Sequence, residues 1–341
     1  MTAKDVTCHF ECGRDEHILY AALRQGLGFP YECASGTCGT CKATVLEGST
    51  EYVWEGAPGR KYTRAEKNEV LTCQSLARTP LKLSLLRGFD APPRILPDYY
   101  RGTIVRSKRL VEDVLELDVS VERPLSFDAG QFVLFEVDAV AGARSYSMVN
   151  FGADCSELKF LIKRVPGGAL TEWFFSHPLE GLGVRMFGPL GRATFDPETA
   201  SHIVCIAGGS GIAGMMSMLS RGSESGHFRE KDARVFFGVR TPRDAFYFDE
   251  LAGHVRGFRD RVRVMIGLSH EEASPEFRER HADLEFDSGF IHDVAKRALG
   301  SSPADTVVYI AGPPPMVDAT LRMLLLELKH NPKNIRYDKF S

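Results

Sequence analysis

Four cysteines stand in a pattern that chemistry can use. Cys33, Cys38 and Cys41 follow one another with four and two residues between them, and Cys73 follows after thirty-one intervening residues. That is the spacing of a plant-type [2Fe–2S] cluster. Two irons bridged by two sulfides need four thiolates arriving from one side, three from a tight loop and one from a distant segment. Gly36 and Gly39, inside the loop, can take positive φ and bring backbone amides up to the sulfurs. A zinc site competes for the same residues, but zinc sites usually show two short Cys pairs and here there is one. Cys8, Cys12, Cys155 and Cys205 are scattered; Cys205 falls inside an apolar run and reads as a small core residue.

Two glycine-rich corners could bind a nucleotide. Residues 206–214, Ile-Ala-Gly-Gly-Ser-Gly-Ile-Ala-Gly, follow an apolar strand and open a helix. Backbone amides and a helix N-terminus in that arrangement hold a pyrophosphate, which makes Gly208, Gly209 and Gly211 candidate contacts. Gly209, Gly211 and Gly214 spell G-x-G-x-x-G, a weak signal alone, and a purely structural glycine turn would look the same. A Rossmann fold would place an acid at the end of the second strand. Here that strand runs into Gly238-Val239-Arg240-Thr241-Pro242-Arg243-Asp244. Arg240 and Arg243 could meet a 2′-phosphate, whereas Asp244 would repel one. The second corner, Ala311-Gly312-Pro313-Pro314-Pro315-Met316, also ends an apolar strand; a proline near a helix start reads equally as structural.

The elements around these residues fall into three groups. Residues 4–12 read as a strand, 17–25 as a helix with Ile18, Leu19, Ala22 and Leu23 on one stripe, and 42–46 as a strand after the cysteine loop. This fits a small β-grasp domain over 1–90. Residues 88–98 carry three prolines and form a stiff linker. From 98 to 199, strands at 103–107, 114–121, 131–137, 145–149, 158–164 and 183–187, with one helix near 168–176, predict an antiparallel barrel. From 200 to 341, apolar strands at 202–207, 234–239, 261–266 and 307–311 alternate with helices at 212–219, 248–254, 291–299 and 316–328, which predicts a parallel α/β sheet. The charged stretch 270–287 reads as an exposed excursion.

Composition bounds the rest. The chain has 341 residues, 43% hydrophobic and 26% charged, with net charge −3. No apolar run is long enough to span a membrane, and no basic stretch suits a nucleic acid. No secretory h-region is visible near the first residues, which places the protein in the cytoplasm, where thiols stay reduced. The first ninety residues hold 11 Lys+Arg against 11 Asp+Glu, so charge alone names no partner. The ten histidines show no metal-ligand spacing.

Residues 29–42, Phe-Pro-Tyr-Glu-Cys-Ala-Ser-Gly-Thr-Cys-Gly-Thr-Cys-Lys, resemble the N-terminal ferredoxin domain of the reductase components of bacterial multicomponent aromatic-ring oxygenases. This ferredoxin–NADH reductase family includes the reductases of carbazole dioxygenase and toluene monooxygenase, and the likeness runs over nearly the whole chain. It implies a ferredoxin-reductase-like FAD domain and NAD domain behind the cluster domain. It assigns Arg144-Ser145-Tyr146-Ser147 as the flavin motif: Arg144 on the pyrophosphate, Tyr146 along the isoalloxazine and Ser147 near N5, the last two counted as catalytic. Lys163 and the Gly168…Thr171 helix start complete the FAD site. Arg240 and Asp244 fall in the adenosine-ribose segment; Gly312, Pro313 and Met316 form the nicotinamide motif, with Ala311 where the family usually has Cys. Gly214 replaces a usual Pro and should loosen the helix start. Phe340 belongs to an aromatic tail that packs near the flavin. FAD is favoured over FMN by domain order, and NADH over NADPH. The implied partner is a terminal oxygenase or an intermediary ferredoxin. A cytochrome P450 or a sugar deoxygenation enzyme is the alternative acceptor, and a redox sensor the alternative outside enzymes.

Overall fold

The computed structural model describes residues 7–199 and 201–340. Helix α1 (Ile18–Arg24) buries Ile18 to Leu23 in an unbroken run. It packs behind the cysteine loop and above an antiparallel sheet ordered β3-β1-β5, built from β1 (Lys42–Glu47), β3 (Glu69–Leu71) and β5 (Lys82–Leu85). A second pair, β2 (Thr50–Tyr52) and β4 (Ser75–Ala77), brackets the turn that carries Cys73. The strand expected over 4–12 is not there: residues 7–12 join no ladder, and 4–6 lie outside the described residues. Alternation of Thr7, Cys8, His9 and Phe10 mimics a strand, but the backbone finds no neighbour to pair with.

Six antiparallel strands follow: β6 (Asp98–Val111), β7 (Val114–Phe127), β8 (Phe132–Val137), β9 (Val140–Ser147), β10 (Gly152–Lys163) and β11 (Gly183–Leu190). Their order is β10-β7-β6-β11-β8-β9. The ends meet where Met148 bridges Phe160 and the Val149 amide donates to Lys159 O at 2.8 Å, closing a barrel with no open edge there. Helix α2 (Ala169–Ser176) caps it, burying Leu170 and Phe174.

The last part is a parallel sheet ordered β15-β14-β13-β12-β16-β17. Its strands are β12 (His202–Gly208), β13 (Ala233–Val239), β14 (Val262–Leu268), β15 (Glu285–Ser288), β16 (Thr306–Gly312) and β17 (Ile335–Lys339). Helices α3 (Ile212–Glu224), α4 (Phe248–Gly257), α5 (Pro275–Arg280), α6 (Ile291–Leu299) and α7 (Pro314–Arg322) make the crossovers. The order reverses at β12, so the crevice between the carboxyl ends of β12 and β16 is where such a sheet binds ligands. Two expectations change here. The stretch 270–287 is no mere excursion, because it supplies α5 and the edge strand β15. The tail likewise enters the sheet as β17. Gly214 lies in the first turn of α3, buried against Gly130. No described helix is long and apolar enough to cross a membrane.

The parts share their cores. Phe132, Leu134, Phe187 and Leu190 of the barrel pack into the same cluster as Leu19, Phe29, Leu71 and Cys73. The linker is pinned as well: the Asp90 amide donates to Gly28 O at 2.7 Å and its carboxylate pairs with Arg192 at 2.5 Å. On the other side, Ser217 Oγ accepts from the Gly130 amide (2.9 Å), Tyr247 donates to Glu116 (2.5 Å) and Tyr309 to Thr194 O (3.2 Å).

Candidate functional site

The cysteine loop runs from Tyr31 to Cys41 with almost no regular structure, and its shape depends on two glycines. Gly36 has φ +94° and a Cβ there would sit 2.8 Å from Gln74 Cγ; Gly39 has φ +77° and would meet Tyr62 Cδ2 at 2.6 Å. With these turns made, the amides of Thr37 and Cys38 both donate to Cys33 Sγ at 3.4 Å, and that of Thr40 to Cys38 Sγ at 3.4 Å. The sulfurs gather in pairs. Cys41 and Cys73 lie 3.2 Å apart, and the Cys38 side chain draws Cys33 toward thiolate against the opposing effect of burial, helped by the Thr37 side chain and the Cys38 amide. Among the described residues no three His, Cys, Asp or Glu side chains close on a single ion position. Two pairs side by side suit a two-iron cluster rather than one zinc, and amides aimed at sulfur suit its negative charge. Cys33, Cys41 and Cys73 are buried, whereas Cys38 is half-exposed.

A cleft of about 1220 Å³ opens between the barrel and the parallel sheet. It collects fourteen side chains or turns that the sequence singles out: Arg144, Ser145, Tyr146, Ser147, Lys163, Gly168, Thr171, Gly208, Gly209, Arg240, Asp244, Pro313, Met316 and Phe340. Cys33 and Ser35 of the cluster loop line it too. β9 delivers Arg144 to Ser147 to its floor. Among the described residues Arg144 meets no carboxylate; it bonds Ala143 O at 2.9 Å and lies 5.5 Å from the Trp54 ring, leaving its fork available to a phosphate. Tyr146 stands edge-on to Phe135 at 5.9 Å, and burial lifts its phenol well above the ordinary range, so it stays neutral. Thr171 Oγ1 accepts from the Val165 amide at 3.1 Å, shaping the turn before α2.

Gly211 and Gly312 do not line the cleft. They let its two corners touch. A Cβ on Gly211 would lie 2.2 Å from Ala311 O, and one on Gly312 would lie 2.6 Å from Met316 Cε. Gly209 takes φ +54° beside the Lys163 stem. Ala311 is buried behind this contact, and it too is absent from the lining. At the tail, the Phe340 amide donates to Gly312 O at 2.9 Å, while Tyr337 reaches the cluster loop by donating to Glu32 at 3.3 Å. Burial, with Glu32 adding to it, pushes the Asp338 carboxyl up to about 7.

Sequence reasoning missed part of the lining. Ser269 and His270 follow β14, Gly289 to His292 follow β15, and Asp113 comes from the hairpin between β6 and β7. The loops share only their place at the carboxyl ends of strands, a signal that appears once strand order is known.

Family models match all three parts: a 2Fe-2S iron-sulfur cluster binding domain over residues 1–78, an oxidoreductase FAD-binding domain over 101–195 and an oxidoreductase NAD-binding domain over 205–322. The chain is 36% identical to the ferredoxin–NAD(P)(+) reductase CarAd of Metapseudomonas resinovorans, with 92% of each chain covered. It is 32% identical to the ferredoxin–NAD(+) reductase component of the alkene monooxygenase system of Xanthobacter autotrophicus, with 97% of each covered. Among solved structures, the ferredoxin reductase in carbazole 1,9a-dioxygenase superposes with a TM-score of 0.83 at 33% identity, covering 97% of this chain and 94% of that one. With an iron–sulfur loop, a flavin barrel and a nicotinamide sheet in one chain, the protein belongs to the ferredoxin–NAD(P)+ reductases, the reductase components of multicomponent oxygenases.

Proposed function

We propose that this chain takes reducing equivalents from NADH and delivers them singly, through its own [2Fe–2S] centre, to a separate terminal oxygenase or the ferredoxin that serves one, in the cytoplasm. One observation carries the reading: a single cleft is lined by the flavin motif, by both nicotinamide corners and by Cys33 of the cluster loop. Bound FAD would supply the conversion of one hydride's electron pair into single electrons, which a cluster can accept only one at a time.

The chain's own part is to hold, orient and exclude water. In this reading Cys33 with Cys38 and Cys41 with Cys73 each hold one iron. Arg144, Lys163, Gly168 and Thr171 hold the flavin phosphates; Ser145, Tyr146 and Ser147 position the ring, with Tyr146 and Ser147 nearest the chemistry. Gly208 and Gly209 present amides to the pyrophosphate of NADH, with Gly211 setting the close contact behind them, and Arg240 and Asp244 face its adenosine ribose. Pro313 and Met316 form the nicotinamide side of the cleft, with Gly312 packed behind Met316, and Phe340 closes it near the flavin. The module boundaries proposed are 1–90, 98–199 and 200–341, because the matched segments 1–78, 101–195 and 205–322 fall within them.

The test is NADH consumption coupled to product formation on an aromatic substrate, with and without added oxygenase. Electrons should reach the substrate only when the oxygenase is present, and NADH-dependent reduction of cytochrome c should proceed without it. Hydroxylated product from the purified chain alone would refute the reading.

A further inference from the structure

The carboxyl end of β13 carries Arg240, the position from which a guanidinium reads a 2′-phosphate in nucleotide-binding sheets of this kind. Here that guanidinium is not free. Its Nη2 lies 3.4 Å from Asp244 Oδ1 and 3.4 Å from Asp113 Oδ2. The two carboxylates are unequal partners. Asp244 is already committed, since its Oδ2 accepts from the Thr241 amide and the Thr241 hydroxyl, both at 3.0 Å. Asp113 comes from the other side of the cleft, 127 positions away in sequence, on the barrel hairpin. Its Oδ1 is buried without a hydrogen-bond partner, and its Oδ2 is the oxygen that faces Arg240 and Lys163 Nζ, the latter at 2.7 Å.

We propose that Asp113 is a specificity-determining residue: reaching across from the barrel, it holds Arg240 away from a 2′-phosphate and so sets the preference for NADH over NADPH. The inference rests on the NADH reading above and adds a residue outside the nucleotide-binding sheet. Lys163 and Arg240 thus face Asp113 and Asp244, two cations against two carboxylates, with Glu112 on the same hairpin lining the cleft beside them. A 2′-phosphate arriving there meets two carboxylates and a guanidinium that both already engage. A 2′-hydroxyl meets no such penalty. Loss of the Asp113 charge removes one of the two carboxylates that engage Arg240 and leaves Asp244 alone on it.

The test is binding of two probes, ADP-ribose and 2′-phospho-ADP-ribose, to the holoprotein by titration calorimetry, alongside the NADPH/NADH ratio of kcat/KM. In Asp113→Asn, which keeps the shape and removes the charge, the preference for ADP-ribose over its 2′-phosphate should shrink about tenfold, the scale of one nearby surface charge, and more at low salt. Asp113→Glu should keep the parent preference. Equal discrimination in Asp113→Asn and the parent, with cluster and flavin absorbance intact, overturns the proposal. Should Asp113→Asn fail to fold, the Asp244→Asn variant at low and high salt decides: a preference that vanishes completely there leaves nothing for Asp113 and also overturns it, while a residual salt-sensitive preference supports it. A parent that binds neither probe while still reducing cytochrome c from NADH sinks the assigned nucleotide contacts and this inference together; no NADH-driven reduction at all sinks the reading of function instead.

Discussion

The hydroxyl of Ser145 donates to the backbone carbonyl of Cys33 at 2.7 Å, joining the flavin motif to a cluster ligand. The same hydroxyl lies 3.4 Å from Ser35 Oγ. Of these two contacts the bond to Cys33 O is the shorter. Ser145→Ala should loosen it by about 1 kcal/mol, the net worth of one hydrogen bond. In stopped-flow mixing with NADH, bleaching of the cluster should then lag bleaching of the flavin more than in the parent, and Ser145→Thr should restore the parent lag. Identical lags in all three proteins would count against a coupling role.

Cys73 is fully buried and arrives from a segment far from the cysteine loop. Cys73→Ala should leave the purified protein without bound iron or acid-labile sulfide and without the cluster's visible absorption. NADH-dependent ferricyanide reduction should persist, because the flavin and nicotinamide walls of the cleft come from other modules. Iron and sulfide assays beside the dye assay check both halves.

Gly211→Ala tests the contact between the two nucleotide corners. Its Cβ would meet Ala311 O at 2.2 Å, and the Ala311–Gly312 peptide it strikes is backbone that cannot swing aside as a side chain can. The substitution should destabilise the protein by about 3 kcal/mol, as overpacking does at its upper range, and raise the KM for NADH. Denaturant unfolding and steady-state kinetics read the two effects. Gly253→Ala, where an added Cβ meets nothing within 4 Å, is the matched control.

His17 predicts an acid-side loss of stability. Burial lowers its imidazole to about 4 from an ordinary 6.5, with Glu16 opposing the shift. The folded state therefore resists a proton that the unfolded chain accepts. Stability from this residue is complete above about pH 6.5 and falls as pH drops toward 4, by about 3 kcal/mol in all. Urea midpoints between pH 7 and pH 4 should slope less steeply in His17→Gln than in the parent.

Much of this architecture is legible in the residues themselves. Strands β12, β13, β14 and β16 are buried along most of their length, so they read as apolar runs broken only by the exposed Arg234 and Arg263 near the starts of β13 and β14. The cysteine spacing is legible because cluster geometry dictates it. Edge strands are not: β15 is Glu-Phe-Asp-Ser and β17 is Ile-Arg-Tyr-Asp-Lys, each paired on one side only, and half-exposed polar residues leave no apolar run. The same holds for Asp113, a hairpin-turn acid in sequence, which becomes part of the cleft only when the barrel is set against the sheet. Residues that act across modules carry no local pattern, since nothing in their own neighbourhood requires them.

The seam between the cluster module and the barrel has a consequence for traffic. Phe132, Leu134, Phe187 and Leu190 bury their side chains against the module that carries the irons, and Arg192 and Asp90 clamp the connecting segment. Peeling that module away would wet a continuous greasy face. The iron pair is therefore no swinging arm on a leash: it is fixed masonry, and whatever collects the electrons must make the journey to it.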